Sequence, residues 1–337
     1  EDGIRDECTS LVGSEMCIRD RVAMARNAIQ FQKGLSLQSF VKQYGSEEQC
    51  EQVLYRLRWP QGFVCPECGN TTGCALHSRK IYQCHKCHHQ TSLTAGTLFH
   101  GTKLALTQWF LAIYLLTQRK QSLSALQLSR DLGVKYDTAW RMKHKLMQVM
   151  LERGRQDTLG DRIEIDDAYL GGEMPGKRGR GAHHKTPFIA AVETTQDGRP
   201  MKLHLRRVAG FQQREIARYA SASLVPGSIV FSDGLACFAA VKTAGCRHVP
   251  IVTGSGRTAA RHPTFKWVNT LLGNVKTALT GTFHAIREKH VPRYLAEFEY
   301  RFNRRFDLPA MIERLAYVAL RTPPMPQRLL SLAEQWG

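Results

Sequence analysis

Four cysteines in two CxxC pairs constrain this chain more than any other feature. The pairs are Cys65-Pro-Glu-Cys68 and Cys84-His-Lys-Cys87, and fifteen residues separate Cys68 from Cys84. Each CxxC turn holds two thiolates on one side of a tetrahedron, and Zn²⁺ prefers four such soft ligands. Two turns at this separation are typical of a zinc ribbon, with short strands such as 80–83 between them. The spacing therefore predicts a structural Zn²⁺ at these four cysteines, with coincidental cysteines or a redox pair as the weaker alternatives.

The charge balance of the chain indicates a polyanionic partner. Lysine and arginine number 47 against 29 aspartates and glutamates, which gives a formal net charge of +18. For so basic a globular chain, double-stranded DNA is the first candidate and an acidic membrane surface the second. The membrane alternative lacks a lipidation motif, and the longest apolar stretch, 109–116, is too short to span a bilayer. We therefore expect a nucleic-acid partner and no membrane partner.

The remaining cysteines and the start of the chain bear on compartment and boundaries. The ten cysteines comprise the two pairs and scattered single residues, which favours a reducing, cytoplasmic compartment over a disulfide framework. The sequence has no stretch with the order of a signal peptide.

Residues 1–23 lack helical or strand periodicity and resemble a translated sequencing-adapter peptide. We interpret them as a non-native leader, and a disordered N-terminal tail is the alternative.

Residues 24–100 are predicted to hold two short helices followed by the zinc ribbon. Apolar residues recur at helical spacing between positions 35 and 59. Ser46 precedes the second of these helices and is a candidate N-cap, because its hydroxyl can accept a backbone N–H bond.

Residues 101–153 are predicted to form a helix-turn-helix DNA-binding region. Helical patterns cover 106–116, 124–132 and 136–150, with Gly133 at the turn. The expected core positions are Leu126, Leu132, Val134, Ala139 and Trp140. Eight lysines and arginines stand against two aspartates between positions 103 and 151. The basic residues that the third helix would offer to a major groove are Arg141, Lys143 and Lys145. A plain three-helix bundle with a solvated basic face is the alternative.

Residues 160–310 alternate between strand and helix patterns. The predicted strands are 162–170, 187–195, 201–208, 228–232 and 248–252, and the predicted helices are 212–224, 237–244, 266–283 and 294–306. Three strands, a helix and then alternating strand and helix is the order of a ribonuclease-H-like α/β domain. The chain as a whole is thus predicted to be a multidomain α+β protein, with residues 311–337 as a C-terminal tail.

Two aspartates occupy meaningful places in this predicted domain. Asp166 lies on the first strand, and Asp233 directly follows the fourth. These strands are neighbours in the predicted topology, so both carboxylates meet at one edge of the sheet. Divalent cations with oxygen ligands would offset their repulsion and could activate a nucleophile against a phosphodiester. Asp167 is the alternative to Asp166, although strand alternation places the two on opposite faces.

A third ligand is expected from the later helix, because no acidic residue lies between positions 234 and 288. The candidates on that helix are Asn269, Asn274 and Lys276. Lys276 follows Asn269 by seven residues, or two helical turns, so both lie on the same helix face.

These features together resemble the zinc-ribbon-bearing, DDE-type insertion-sequence transposases of the ISXO-like group in bacteria. The matching segments are the CxxC pairs, IEIDDAYLGGE, VFSDGLACF, WVNTLLGNVKTALTGTFH and YLAEFEYRFNRR, and the resemblance covers nearly everything from Met24 onward. The family's catalytic set is two aspartates, a Glu, Asn or His, and a lysine seven positions later. It falls on Asp166, Asp233, Asn269 and Lys276, and the neutral Asn269 replaces the usual glutamate.

The resemblance implies a DNA transposase that binds terminal inverted repeats and catalyses metal-dependent end cleavage and strand transfer to target DNA. It implies Mg²⁺ or Mn²⁺, as two ions held by Asp166, Asp233 and Asn269, and at least a homodimer when two ends are joined. The protein is then expected in the bacterial cytoplasm, at the nucleoid. The alternatives are a non-catalytic DNA-binding protein, such as a decayed or domesticated transposase, and a structure-specific nuclease on the same fold.

Two further basic segments are candidates for phosphate contacts. The first is a glycine-rich loop at 176–185 that carries Lys177, Arg178 and Arg180. The second is the downstream cluster of Arg301, Arg304 and Arg305.

Overall fold

The computed structural model describes residues 34–171, 185–252 and 262–333. The proposed leader at 1–23 and the loop residues Lys177, Arg178 and Arg180 lie outside these ranges. Within them, no helix combines the length and the apolar character needed to cross a bilayer.

Two helices lead into a three-stranded ribbon. Helix α1 spans Leu37–Tyr44 and α2 spans Glu47–Arg58. The predicted cap at Ser46 is confirmed, since its hydroxyl accepts the Gln49 N–H while the Gln49 side chain accepts the Ser46 N–H. The ribbon strands are antiparallel in the order β1-β2-β3, namely Gly73–Leu76, Ile81–Cys84 and Gln90–Ser92. Tyr82 of β2 packs its ring against aromatic side chains of the preceding segment, which seats the ribbon on α2.

Three helices follow the ribbon close to their predicted positions. They are α3 (Leu106–Gln118), α4 (Ala125–Leu132) and α5 (Tyr136–Arg155). Gly133 ends α4 with a φ of +64°, a left-handed conformation that favours glycine. One expected core residue is placed wrongly by the sequence, because Leu126 is 49% exposed and Leu128 is buried instead.

A five-stranded sheet carries the second half of the chain, in the order β6-β5-β4-β7-β8. The strands are β4 (Arg162–Leu170), β5 (Thr186–Thr194), β6 (Pro200–Arg207), β7 (Ile229–Ser232) and β8 (Arg247–Pro250). Strands β4, β5 and β6 form an antiparallel meander, whereas β7 runs parallel to β4 and β8 parallel to β7.

Helices cover both faces of this sheet. Helix α6 (Gln213–Ser223) and the 3₁₀ helix Ala236–Ala244 pack on the face that presents Ile163 and Ile165. Helices α7 (Lys266–Thr280) and α8 (Val291–Asn303) pack on the face that presents Ala168 and Phe188. The alternation of apolar residues along β4 and β5 supplies both faces of the core.

The C-terminal segment is helical, so its prediction as a tail is wrong. Residues 311–333 contain α9 (Met311–Ala319) and α10 (Gln327–Leu332). Apolar side chains at helical spacing in α9, including Ile312 and Leu315, are fully buried in one core with Phe110 of α3 and Leu146 of α5. This core belongs to the N-terminal half of the chain, which is therefore completed by its C-terminal helices.

Candidate functional site

The parallel pairing of β4 with β7 creates an open edge for the predicted carboxylates. Ile165 of β4 is paired with Ser232, the last residue of β7, and β4 continues to Leu170. Asp166 thus lies immediately past the end of its neighbouring strand, next to Asp233. One carboxylate oxygen from each of Asp166, Asp167 and Asp233 lies within 4.8 Å of the other two.

Asp167 belongs to this cluster, which the sequence argument did not predict. Strand alternation does point its Cβ away from that of Asp166, but β7 ends at Ser232, so on this side of β4 no neighbouring strand separates the two faces. The Asp166 carboxylate also accepts the Asp167 N–H at 2.8 Å, which ties the two residues together. The site therefore has three carboxylates where two were expected.

The cluster is electrostatically suited to a cation. Burial, and then the negative charges of Asp167 and Asp233, raise the pKa of Asp166 to about 7, while the Lys276 charge opposes that rise. Hard divalent cations prefer such oxygen ligands and would favour the charged form of all three groups. The donor set therefore fits Mg²⁺ or Mn²⁺.

Helix α7 brings the remaining candidates to the same side of the sheet. It packs against β4, and its half-buried Asn269 follows the residues that contact β4 directly. Lys276 lies two turns further on and is exposed, as is Asn274. Among these candidates, Lys276 opposes the rise in the pKa of Asp166 through its positive charge.

Sequence reasoning missed Glu164, a buried carboxylate on the same face of β4 as Asp166. Its side chain accepts the backbone N–H groups of Trp267 and Val268 at the start of α7, each at 3.0 Å. The signal was an acidic residue at an apolar position of the strand, two residues before a predicted metal ligand.

The four predicted zinc ligands converge in the ribbon. The sulfur atoms of Cys65 and Cys87 are 3.6 Å apart, as are those of Cys68 and Cys84, and one sulfur from each of the four lies within 4.8 Å of the others. Tetrahedral Zn²⁺ with bonds of about 2.3 Å separates its sulfur ligands by about 3.8 Å. The Cys84 sulfur also accepts the Lys86 N–H at 3.4 Å, as expected of a thiolate ligand. Geometry and chemistry both fit a structural zinc.

The proposed DNA contact by Lys143 is wrong, because this side chain is fully buried between α5 and α8. Its ammonium donates to the Leu123 carbonyl at 2.6 Å and pairs with Glu297 at 3.3 Å. The rings of Phe283 and Tyr294 enclose it, at 4.4 and 4.9 Å from their centroids. A charge desolvated in this way holds two helices together and cannot reach a groove.

The other basic candidates on α5 differ in exposure. Arg141 lies near the exposed first turn of the helix and contacts the Gln327 side chain at 3.3 Å. Lys145 is half-buried, with its ammonium 3.4 Å from the Leu98 carbonyl. Both ends of α5 face solvent: Tyr136 in the first turn is 52% exposed, and Arg153 and Arg155 in the last turn are exposed as well.

The downstream arginine cluster is engaged within the protein, which contradicts its proposed phosphate contacts. Arg301 is buried, where it pairs with Glu297 and donates to the Gln121 carbonyl. Arg304 lies over the ring of Tyr300, and Arg305 donates to backbone carbonyls at the start of β6.

Comparisons with known proteins agree with this site. Residues 158–303 match the model of the ISXO2-like transposase domain, and residues 45–90 match that of the transposase zinc-ribbon domain. The first match contains the three carboxylates and α7, and the second contains the four cysteines. Along the chain, a segment similar to transposase zinc ribbons thus precedes a segment similar to DDE-type transposase domains. More particularly, residues 158–303 match the ISXO2-like group of those domains.

Individual relatives give more limited information. An uncharacterized protein in transposable element ISH50 of Halobacterium salinarum is 29% identical over 140 residues, which are 41% of this chain and 46% of that protein. The chain therefore spans less than half the length of this relative. The crystal structure of a pre-cleavage Mos1 transpososome matches 58% of this chain and 74% of the other, with 13% identity and a TM-score of 0.24. That score is too low to support a shared fold.

Proposed function

We propose that this protein is a DNA transposase that binds the terminal inverted repeats of its element and catalyses metal-dependent cleavage and strand transfer. The observation that carries this proposal is the convergence of the Asp166, Asp167 and Asp233 carboxylates within a domain that matches a transposase family model. Carboxylates held this close favour divalent cations, the cofactors of phosphodiester chemistry.

The sheet supports a ribonuclease-H-like arrangement for this domain. Three antiparallel strands are followed by two parallel strands on the other side of β4, in the order β6-β5-β4-β7-β8. This order puts Asp166 on one strand and Asp233 directly after the neighbouring strand, although the two are far apart in sequence. Residues 160–310 are proposed as the catalytic domain on this basis.

Each residue of the site has a proposed role. Asp166 and Asp233 hold the metal through charged oxygens, and Asn269 contributes a neutral carbonyl oxygen from α7. When bound, one or two Mg²⁺ or Mn²⁺ ions supply Lewis acidity at the phosphate and lower the pKa of the nucleophile. Lys276, which is exposed on α7, would contact a substrate phosphate. Water attacks first and breaks a P–O bond at the element end, and the freed 3′-hydroxyl then attacks a target phosphodiester.

DNA binding is proposed for the N-terminal half of the chain. The zinc ribbon and the α4–α5 pair, with Gly133 at their turn, would contact the terminal repeats through the exposed first turn of α5. The formal charge of +18 favours such a partner. Two ends must be held together for strand transfer, so the active species would be at least a homodimer, acting at the bacterial nucleoid.

A strand-transfer assay with the element's own end DNA and Mn²⁺ tests this function. We expect joined products with the full chain and none with Asp166→Ala or Asp233→Ala. Asp197→Ala is the matched control, because Asp197 is exposed in the turn between β5 and β6, at the opposite end of the strands. It should retain full activity.

Other outcomes of the same assay identify the alternatives. The first alternative is a decayed, binding-only protein, in which the neutral Asn269 would bind metal more weakly than the usual glutamate. Wild-type protein that binds the ends but never cleaves them would establish that alternative. Cleavage of branched DNA without joining would instead indicate a structure-specific nuclease.

A further inference from the structure

Glu164 links the strand of the first catalytic aspartate to the helix of the third catalytic residue. It lies on β4 two residues before Asp166, so both side chains leave the same face of the strand. Its side chain is 1% exposed. A carboxylate so deeply buried is costly unless it is paired and hydrogen-bonded.

One carboxylate oxygen of Glu164, on the sheet face that α7 covers, caps the start of that helix. It accepts the N–H groups of Trp267 and Val268, both at 3.0 Å. The N-cap residue of α7, Phe265, has no side-chain hydrogen bond to the helix. A helix start needs acceptors for its first N–H groups and favours a negative charge there. Glu164 supplies both from a residue about a hundred positions away in the chain.

The other oxygen of Glu164 is also fixed. It pairs with the Arg162 guanidinium at 3.0 Å. Arg162 in turn donates to the Thr194 hydroxyl at 2.8 Å and lies over the ring of Phe231 at 4.6 Å. These contacts fix the orientation of the carboxylate. The oriented carboxylate in turn fixes the position of the start of α7 relative to β4.

We propose that Glu164 is a positioning residue that holds Asn269 in place against Asp166 for metal binding. This inference rests on the proposed function. Asn269 directly follows Val268, so it sits one residue beyond the clamp. Buried apolar residues hold α7 against the sheet along its length, from Val268 to Leu279, so loss of the clamp would leave the helix in place and release only the polar contacts of its first turn.

A direct metal-binding role for Glu164 is disfavoured by its contacts. Both of its oxygens are already engaged, by two backbone N–H groups and by Arg162. The carboxylate cluster that could hold a metal consists of Asp166, Asp167 and Asp233 among the described residues. Glu164 therefore acts through α7 and not on the ion.

The test compares Glu164→Ala and Glu164→Gln with wild type in the full chain, using Mn²⁺ as the probe. Hydrogen–deuterium exchange reports on the Trp267 and Val268 amides, and electron paramagnetic resonance reports on Mn²⁺ affinity. We expect faster exchange confined to the first turn of α7, and an affinity loss of about tenfold or more in Glu164→Ala. Glu164→Gln keeps an acceptor and the side-chain volume, so its effect should be intermediate. It also carries the test if Glu164→Ala does not fold.

Two further comparisons separate positioning from general stabilisation. In the double variant Glu164→Ala/Asn269→Ala, Mn²⁺ affinity should equal that of Asn269→Ala alone, because Glu164 acts through Asn269. Glu193→Gln is the matched control, since Glu193 lies on β5 and accepts the Gly160 N–H at 2.8 Å, away from α7. It should leave Mn²⁺ affinity unchanged.

The overturning results are equally specific. Unchanged amide exchange or unchanged Mn²⁺ affinity in Glu164→Ala would refute the positioning role, as would additive losses in the double variant. Wild-type protein that binds no Mn²⁺ would overturn the proposed function itself. Unchanged Mn²⁺ affinity in the Glu164 variants, with normal wild-type binding, would overturn the positioning role and leave the proposed function standing, so the two failures are distinguishable.

Discussion

Lys143 occupies a position without access to solvent, between α5 and α8, with Glu297 and Arg301 beside it. Burial lowers the pKa of Lys143, and the Glu297 charge opposes that shift. A buried ion pair adds little net stability over an apolar pair of the same shape, but breaking it leaves a charge without compensation. The pair therefore specifies how α5 meets α8 more than it stabilises the contact.

Substitution of Lys143 should reveal this uncompensated charge. Lys143→Ala leaves Glu297 with Arg301 alone, and we expect the free energy of unfolding to fall by about 3 kcal/mol in urea titrations. Lys145→Ala is the control on the same helix, because Lys145 is half-buried without a carboxylate partner in the described ion pairs. A similar loss in both variants would contradict the role of the pair.

His204 should make stability depend on pH. It is fully buried on β6, and neither ring nitrogen has a hydrogen-bond partner among the described residues. Burial, helped by Arg206 and Lys202, lowers the pKa of His204 well below its usual value. The unfolded chain therefore binds a proton below about pH 6.5 that the folded chain does not, and stability is lost as the pH falls.

The variant His204→Leu removes this contribution to the pH dependence of stability. Relative to the variant, the free energy of unfolding of wild type should fall by about 1.4 kcal/mol per pH unit below pH 6.5. Urea midpoints at pH 7.5, 6.0 and 5.0 measure the difference, with the exposed His284→Leu as the matched control. A constant difference between wild type and His204→Leu across this range would show that His204 binds a proton as readily in the folded as in the unfolded chain.

Residue roles were predictable from the sequence where spacing alone determines the chemistry. The cysteine pairs close a metal site within one short segment, and the strand order brings Asp166 next to Asp233. Lys143 could not be assigned, because its partner Glu297 lies 154 residues away and only tertiary packing buries both. Asp167 was missed because the alternation of side chains between two faces holds where a strand has neighbours on both sides. At Asp167, β4 has no neighbour on the β7 side, since β7 has already ended.

Among the elements, α8 covers the edge strand β6 with side chains that bind its backbone. Its Asn303 side chain accepts the Leu203 N–H at 2.7 Å and donates to the Leu203 carbonyl at 2.9 Å. Glu299 accepts the Leu205 N–H at 2.8 Å. Helix side chains thus satisfy the outer backbone groups of β6 that an adjacent strand would otherwise bind. An edge covered in this way is protected against pairing with another chain.

The zinc ribbon should depend on its metal. Its strands have three or four residues each, too few to bury a core of their own. We expect chelation, or Cys84→Ser, to deprotect the amides of residues 63–92 in hydrogen exchange while the β4–β8 sheet keeps its protection. Cys74→Ser is the control, because Cys74 is exposed on β1 outside the four-sulfur cluster. Protection that survives removal of the metal would rule out a structural zinc.

Element positions followed from periodicity where a helix or strand is amphipathic. The predicted strand at 80–83 is observed at Ile81–Cys84, and the predicted helix at 136–150 extends to Arg155. The predicted helix at 237–244 is instead a 3₁₀ helix. The pattern of apolar residues in the sequence does not reveal the tighter winding of such a helix. The helical pattern of Ile312, Leu315 and Ala319 was present in the sequence, but a terminal position favoured reading it as a tail.

At the scale of the whole molecule, α9 and α10 complete a core that α2, α3 and α5 begin. Arg293 of α8 adds a polar connection, since it donates to the Leu330 carbonyl at 2.7 Å and to the Gln148 side chain at the same distance. The helices that end the described chain are therefore part of the N-terminal fold.

Substitutions within α9 should demonstrate this dependence. Leu315 is fully buried, so Leu315→Ala should lower the free energy of unfolding by about 2–5 kcal/mol. Tyr317, two residues on, is 43% exposed, and Tyr317→Ala should cost less than about 1 kcal/mol. Thermal unfolding of the two variants, with end-DNA binding as a second readout, makes the comparison. Equal losses would mean that α9 is not part of the core.

The same core has a consequence for the connectivity of the chain. Residues that precede β4 and residues that follow α8 meet again, and Asp157 and Arg304 lie 3.6 Å apart where they do. The sheet-bearing segment thus leaves and re-enters the helical body at nearly one point. In terms of connectivity it is an insertion between two portions of one helical body, and both portions contribute buried residues to the shared core. An exchange of the sheet-bearing segment between related chains would need both junctions, and a chain severed at either one should lose contacts within the helical body as well.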